Sequence, residues 1–365
     1  MKVVHVVPGL FRKEGGVLGG AERYVAELAR HMAERVPTRL VTFGPRDEVR
    51  REGKLDIFVT KPITQIRCTY GNPLSFRFLR WVLDADIVHC HQHHVFPTSL
   101  CALLAVVTRQ RVFMTDLGGG GWDISGYIST DRFFQGELHL SQYSRRIRGS
   151  RQKNQYVIFG GVDTEKFKPS SRIRRTRRLL YVGRLLPHKG VDLLIEALTP
   201  SMELDVVGQP LDTSYLEVLK TLAHGKKVSF HFDVSDPELI EFYQRAAAIV
   251  LPSLYRDRFS ATTLVPELLG QTLLEGMACG APALCTDVAS LPEIVRDGIE
   301  GYIVAPNDVV AMRSGLERLT QSEAASLQMG ARARKRVLQE FTWPTVVDRC
   351  LNIYESKPME EKRAA

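Results

Sequence analysis

No two of the six cysteines lie close enough in sequence to form the tight pairs that zinc or a redox dithiol needs. Cys68, Cys90, Cys101, Cys279, Cys285 and Cys350 are scattered and read as reduced, buried thiols. No stretch approaches the ~18 uninterrupted apolar residues of a membrane span. The opening Met1-Lys-Val-Val-His-Val-Val-Pro-Gly reads as a short buried strand with too few apolar residues for a signal peptide, so a cytoplasmic protein is expected. Neither a GxxxxGK[ST] loop nor a GxGxxG fingerprint occurs, which argues against a kinase, an ATPase or a standard dinucleotide enzyme. Zinc-finger spacing and aromatic ribonucleoprotein boxes are also missing, so no nucleic-acid partner is expected. His89, His91, His93 and His94 have no carboxylate close in sequence. A strand would put His89, His91 and His93 on one face, which suits the edge of a polar cleft as well as a ligand set, and no metal is expected.

What remains is an ordinary globular composition, 44% hydrophobic and 25% charged, in 365 residues, a length that fits two domains. The net charge of +8 comes largely from Arg145, Arg146, Arg148 and Arg151 and from the run at Arg172, Arg174, Arg175, Arg177 and Arg178, read as solvated loops and a linker. Short apolar runs (Val3–Val7, Leu40–Phe43, Ile57–Val59, Ile87–Cys90, Val112–Met114, Leu138–Ser141) alternate with helix-period segments, and the alternation implies parallel strands joined by crossover helices. The pattern breaks at Lys166–Arg178 and restarts at Leu179. The expected organisation is an amino-terminal domain over 1–167, a linker over 168–178, a second doubly wound domain over 179–341, and a crossover helix and tail over 342–365. Two such α/β units would face a central cleft, with ligands at the carboxyl ends of their strands.

Two strand-to-helix loops offer an anion site. Gly15, Gly16, Gly19 and Gly20 precede the first helix, where bare backbone and a helix N-terminus suit a phosphate. In Tyr-Val-Gly-Arg-Leu-Leu-Pro-His-Lys-Gly (181–190), Gly183 ends a strand and places Arg184 and Lys189 in one loop. A forked guanidinium and an ammonium together neutralise a diphosphate and the charge that grows on it as it leaves. Glu267 and Glu275 flank a helix-like segment; on one helix that spacing is a rise of ~12 Å, enough to reach both ends of a nucleotide sugar. Spacing alone leaves the surface reading of these charges open.

The combined pattern resembles the family 4 retaining glycosyltransferases, which have the GT-B fold of two Rossmann-like domains. The likeness runs from residue 1 to about residue 350. It rests on PELLGQTLLEGMACG at Pro266–Gly280 with the following Leu291-Pro-Glu-Ile294 and Asp297-Gly298, on the loop Gly183–Gly190, on Gly19-Gly-Ala-Glu-Arg23, on Asp86-Ile-Val-His-Cys-His91, and on Gly161-Val-Asp163 with Phe167. The resemblance implies that Arg184 and Lys189 bind the donor diphosphate, Glu275 the ribose and Glu267 the transferred sugar. Gly20 lets backbone approach the phosphates. The full donor-binding set it implies is Gly19, Gly20, Gly183, Arg184, Lys189, Gly208, Pro252, Ser253, Glu267, Leu273, Leu274 and Glu275, with Glu267, Arg184, Lys189 and Asp116 as the catalytic group. It also implies front-face substitution with the leaving phosphate as base, without metal or cofactor.

Three departures stand out. Thr115 and Asp116 occupy the place of a histidine that many members carry near the sugar, Gly160 replaces a common asparagine, and Tyr255–Pro266 lengthens the loop before Glu267. The expected partners are a nucleotide-diphosphate sugar and a glycan, lipid-linked or small-molecule acceptor. Asn72–Leu83 reads as a core helix or as a basic amphipathic face for peripheral contact with the inner face of a membrane. Two alternatives share the fold: a sugar-nucleotide epimerase and a catalytically idle nucleotide-sugar-binding subunit.

Overall fold

A computed structural model describes residues 1–9, 19–68, 71–108, 110–118, 121–123, 125, 127, 129–149 and 152–356. The chain forms two compact units, one of Met1–Gly161 with the segment from Trp343 onward, the other of Val162–Thr342.

The first unit carries strands β1 (Val3–Val6), β2 (Thr38–Phe43), β3 (Glu48–Glu52), β4 (Leu55–Thr60), β5 (Thr64–Gln65), β6 (Pro73–Leu74), β7 (Ile87–His91), β8 (Arg111–Thr115), β9 (Gly136–His139) and β10 (Gln155–Val157). Eight of them make one sheet in the order β10-β9-β8-β7-β1-β2-β4-β3, parallel except for β3, which pairs antiparallel with β4 at the edge. Its helices are α1 (Gly20–Ala33), α2 (Leu79–Val82), α3 (Phe96–Thr108) and α4 (Gln142–Arg148). Period-2 alternation sends Val4, Val6, Val88, Cys90, Val112 and Met114 into an apolar core with Phe43, Phe78 and Phe134. The opposite face presents His5, His89 and His91. The helix reading of Asn72–Leu83 shrinks to the single turn of α2, because Phe78 and Val82 turn into the core while Phe76 and Leu83 stay exposed.

The second unit is regular. Strands β11 (Arg178–Val182), β12 (Glu203–Val207), β13 (Lys227–His231), β14 (Ala248–Leu251), β15 (Ala283–Thr286) and β16 (Gly301–Val304) are all parallel in the order β13-β12-β11-β14-β15-β16, the strand order of a doubly wound dinucleotide-binding sheet. Around them lie α5 (Val191–Ala197), α6 (Thr213–Ala223), α7 (Asp236–Arg245), α8 (Gln271–Ala278), α9 (Leu291–Ile294), α10 (Val309–Thr320) and α11 (Glu323–Glu340). The charged stretch 168–178 is tied to this unit: Arg175 donates to the carbonyls of Ala246 (2.9 Å) and Cys279 (2.7 Å), and Arg178 pairs with Asp205 (2.9 Å) and Glu203 (2.7 Å). The last helix, α12 (Trp343–Glu355), belongs to the first unit, where it packs on α1 with Trp343, Val346, Val347, Cys350 and Tyr354 buried.

Cys90, Cys101, Cys279, Cys285 and Cys350 are free and buried. Burial pushes the Cys279 and Cys350 thiols up to about 12, which keeps them protonated at neutral pH. The side chain of Cys68 lies outside the described residues. Among the described residues no helix is long and apolar enough to cross a membrane.

Candidate active site

In an open parallel sheet, ligands bind where the strand order reverses. In the second unit that point lies between β11 and β14. Beyond β11 come Gly183 and Arg184, then a 3-10 turn at Pro187–Lys189 that hands over to α5. Gly190 ends this turn with φ +66°, and a Cβ there would overlap the Pro252 carbonyl oxygen. Gly208, at φ +149°, likewise lies against the Gly183 carbonyl, so both loops close up only with glycine.

Beyond β14, Leu254 N–H donates to the His188 carbonyl at 2.8 Å, which fixes the two loops to one another. Lys189 Nζ meets Glu267 Oε1 at 2.5 Å and the Pro266 carbonyl at 2.9 Å. Ser253 Oγ donates to the same Glu267 oxygen at 2.8 Å, and Thr286 Oγ1 holds the Ser253 carbonyl at 2.6 Å. Lys189, Ser253 and Glu267 therefore form one bonded group. His188 beside it is held below the ordinary imidazole value by burial and by the Lys189 charge. Arg184 differs: it is exposed, and its guanidinium has no hydrogen bond or ion pair among the described residues.

The two glutamates do not share a helix. Gly270 takes a left-handed conformation (φ +87°) and starts α8 at Gln271, so Glu267 sits in the loop before it and the 12 Å spacing argument fails. Glu275 is buried on α8; its Oε2 accepts from Tyr243 Oη at 2.8 Å and its Oε1 from Gln271 Nε2 at 3.4 Å. Leu273 and Leu274 are wholly buried, and their amides donate to the Gly270 carbonyl, so neither side chain lies at a surface. The lengthened loop forms a small hairpin, with Thr263 N–H bonded to the Tyr255 carbonyl (2.8 Å) and Asp257 N–H to the Ala261 carbonyl (3.0 Å), and it exposes Phe259, Leu264 and Val265.

In the first unit the strand order reverses between β1 and β7. Gly15 and Gly16 lie outside the described residues. Gly19 caps α1 in an extended conformation, and a Cβ at Gly20 would meet no atom of the described residues within 4 Å. The register of β1 on β7 pairs His5 with His89, and His91 follows on the same face. Their nitrogens lie within 4.8 Å of one another, a group able to hold a metal ion. Hydrogen bonding already engages five of the six. Tyr354 Oη reaches His89 Nδ1 (2.6 Å), Thr115 Oγ1 reaches His89 Nε2 (2.7 Å), His91 Nε2 reaches His5 Nδ1 (2.8 Å), and His5 Nε2 reaches Met32 Sδ (3.4 Å). Burial drives His5 down to about 3 and His89 and His91 well below their ordinary value, so the three rings are neutral. His5 and Tyr354 were not legible in the sequence; the register of the two central strands is the signal that would have found His5.

His93 leaves this face, because Gln92 at φ +116° breaks the alternation. Its Nδ1 instead accepts from Arg148 Nη2 at 3.0 Å. Arg148 thus lies inside a polar cluster rather than on a solvated run, with Asp131 Oδ1 at 3.5 Å, Glu137 Oε1 at 3.8 Å and Asp116 Oδ2 at 4.0 Å. Asp116 accepts Gly118 N–H at 3.1 Å and keeps 28% of its side chain accessible.

Two Rossmann-like units, one with a cationic loop at the switch point of a regular parallel sheet, are the architecture of the GT-B fold. The sequence matches Glycosyl transferases group 1 over residues 162–336 and Glycosyltransferase Family 4 over residues 18–116, together about three quarters of the chain. The chain belongs to this family of group 1, family 4 glycosyltransferases. It is 29% identical over 304 residues to a glycogen synthase of Mycobacterium tuberculosis, covering 76% of this chain and 70% of the relative. It is also 29% identical over 216 residues to a D-inositol 3-phosphate glycosyltransferase of Mycobacterium avium, covering 54% of this chain and 48% of that protein. Among solved structures, Anabaena HepE in complex with UDP and glucose superposes with a TM-score of 0.71 at 17% identity over 96% of this chain and 98% of its own.

Proposed function

We propose that the second unit binds a nucleoside-diphosphate sugar and that transfer proceeds with retention and without a metal. The observation that carries this is Arg184: an exposed, uncommitted guanidinium in the switch-point loop, beside the bonded group of Lys189, Ser253 and Glu267. Arg184 grips the diphosphate as a fork, and Lys189, with one ammonium proton beyond its two bonds, supplies a second positive charge. Glu275, anchored by Tyr243, takes the ribose hydroxyls, and Glu267 takes hydroxyls of the transferred sugar. Gly183, Gly208 and the Pro252–Ser253 turn give the base and phosphates a backbone without bulk.

The acceptor oxygen then bonds to the anomeric carbon on the face the diphosphate leaves, the carbon–oxygen bond to the phosphate breaks, and the departing phosphate takes the acceptor proton. The cations stabilise charge that is largest late in this step. Incubation with a panel of nucleotide sugars, UDP-glucose first, tests the reading. Proton NMR of the product should show the anomeric configuration of the donor; an inverted glycoside or an epimerised donor without transfer overturns it.

The reading of peripheral membrane contact stays with Asn72–Leu83, where Phe76, Arg77, Arg80 and Leu83 are exposed. Pelleting with anionic phospholipid vesicles, abolished in Arg77→Glu/Arg80→Glu, is the expected outcome.

A further inference from the structure

The polar cluster of the first unit collects at the carboxyl ends of β7, β8 and β9. His93 and His94 follow β7, Asp116 and Asp123 follow β8, Asp131 precedes β9, Glu137 and His139 lie on β9, and Arg148 ends α4. Its members stand near one another without completing their bonds. Among the described residues His93 Nε2, His139 Nε2, Asp123 Oδ2 and Arg148 Nε are buried with no hydrogen-bond partner. His93 and His139 are each only 3% exposed, so water does not satisfy them at the surface.

The tautomer of His93 follows from its neighbour. A guanidinium only donates, so His93 Nδ1 accepts from Arg148 and the ring proton sits on Nε2, which faces Asp131 Oδ1 at 3.5 Å. Arg148 Nε faces Asp116 Oδ2 at 4.0 Å. Both gaps are too long for a direct hydrogen bond. Each leaves a donor and a carboxylate that do not satisfy one another, and a hydroxyl, which both accepts and donates, is the group that suits both kinds of partner.

Charge narrows the class of ligand. Three carboxylates, of Asp116, Asp131 and Glu137, lie within 4.0 Å of the Arg148 guanidinium, and Asp123 acts with them on His93 and His94; among the described residues Arg145 adds a positive charge from the side of His139. Burial and the Arg148 charge hold His93 down to about 3 and His139 down to about 4, so neither imidazole adds a cation at neutral pH. Among the described residues the carboxylates outnumber the Arg148 guanidinium, which disfavours a phosphate beside it.

We propose that this cluster holds the acceptor, and that the acceptor is a hydroxyl-rich molecule, uncharged or bearing an amine, with no phosphate beside the hydroxyl that receives the sugar. The inference rests on the glycosyltransferase reading above. It separates this chain from the relative named for D-inositol 3-phosphate, despite the 29% identity.

The test uses the full chain with UDP. Binding of glucose, glucosamine and glucose 6-phosphate, and of myo-inositol and D-inositol 3-phosphate, is measured by equilibrium titration with UDP present at saturation. At least one unphosphorylated probe should bind, about tenfold or more tightly than its phosphorylated counterpart. Asp116→Asn, a substitution at an accessible side chain, should shrink that ratio, whereas a purely structural role would weaken both members of a pair equally. A phosphorylated probe that binds as tightly or more tightly, an unchanged ratio in Asp116→Asn, or no binding of any probe overturns the proposal. The UDP titration run alongside reads the donor site separately: failure there sinks the proposed function, while UDP binding with the wrong acceptor preference sinks only this inference.

Discussion

The two units solve the same topological problem with opposite degrees of closure. In the second, most groups around the switch point satisfy one another: Lys189, Ser253 and Glu267 are mutually bonded and Glu275 is anchored by Tyr243, while the Arg184 guanidinium has no bond among the described residues. In the first, histidines and carboxylates crowd the strand ends with several buried atoms unpaired. A preformed site accepts a ligand of fixed shape and charge with little rearrangement, whereas an incompletely bonded one gains its missing hydrogen bonds when a ligand arrives. The difference suits a donor whose diphosphate is always the same and an acceptor whose shape is met on binding.

Acid should separate the units most strongly. His5, His89, His91, His93 and His139 all belong to the first unit, and each is held below its unfolded value near 6.5. Their folded values are depressed, so the unfolded chain takes up protons first. Stability is complete above about pH 7 and is lost as pH falls through 6.5 toward the folded values of about 3 to 4. Between pH 7 and 5 each such histidine removes up to about 2 kcal/mol. Trp81, Trp122 and Trp343, all the tryptophans of the chain, lie in the first unit, so tryptophan fluorescence reports it alone. Its urea midpoint should drop steeply on acidification to pH 5. A midpoint unchanged from pH 7.5 to 5 would show that the rings are not buried neutral.

A cut in the second unit should do the reverse. Lys189→Met leaves the Glu267 carboxylate without its cation in a mostly buried setting, with side-chain exposures of 11% and 13%, at a cost of about 3–5 kcal/mol. The far-ultraviolet circular dichroism transition should shift while the tryptophan transition stays in place. Parallel shifts in both signals would mean that the units do not unfold independently.

Smaller effects divide the two glutamates. Glu267→Gln should slow turnover by about 100-fold or more with donor binding nearly kept, because its interaction strengthens as the glycosidic bond breaks. Glu275→Ala should raise the donor KM by roughly 10- to 150-fold with turnover nearly intact, since a ribose contact is the same in ground and transition states. The opposite split would exchange their roles. Smallest of all should be the effect of EDTA on transfer, where full loss restored by manganese would show that the two cations of the 184–189 loop do not replace a metal.

Legibility followed the same division. The loop with Arg184 and Lys189 could be read because a single strand-to-helix segment holds both, and the glutamates because one motif spans them. The loop position of Glu267 could not, since it depends on the left-handed Gly270, which a helix-period count passes over. In the first unit the decisive contacts join residues far apart in the chain: His89 to Tyr354, His5 to His91, His93 to Arg148. Arg148 sits among other arginines and reads as solvent-facing until β9 brings Glu137 beneath it. Periodicity identified both sheets, but it carries no register between strands, and register is what builds the histidine face.

The donor assignment is tested most directly by calorimetric titration of UDP into the wild type and into Arg184→Ala. Arg184 is exposed and bonded to no described side chain, so its removal should leave both unfolding transitions where they are. Loss of a charge-assisted hydrogen bond of ~1.5–3 kcal/mol should weaken UDP binding by roughly 10- to 150-fold. Equal affinity in the two proteins, or no binding of UDP by the wild type, would contradict the assignment of the 184–189 loop as the diphosphate site.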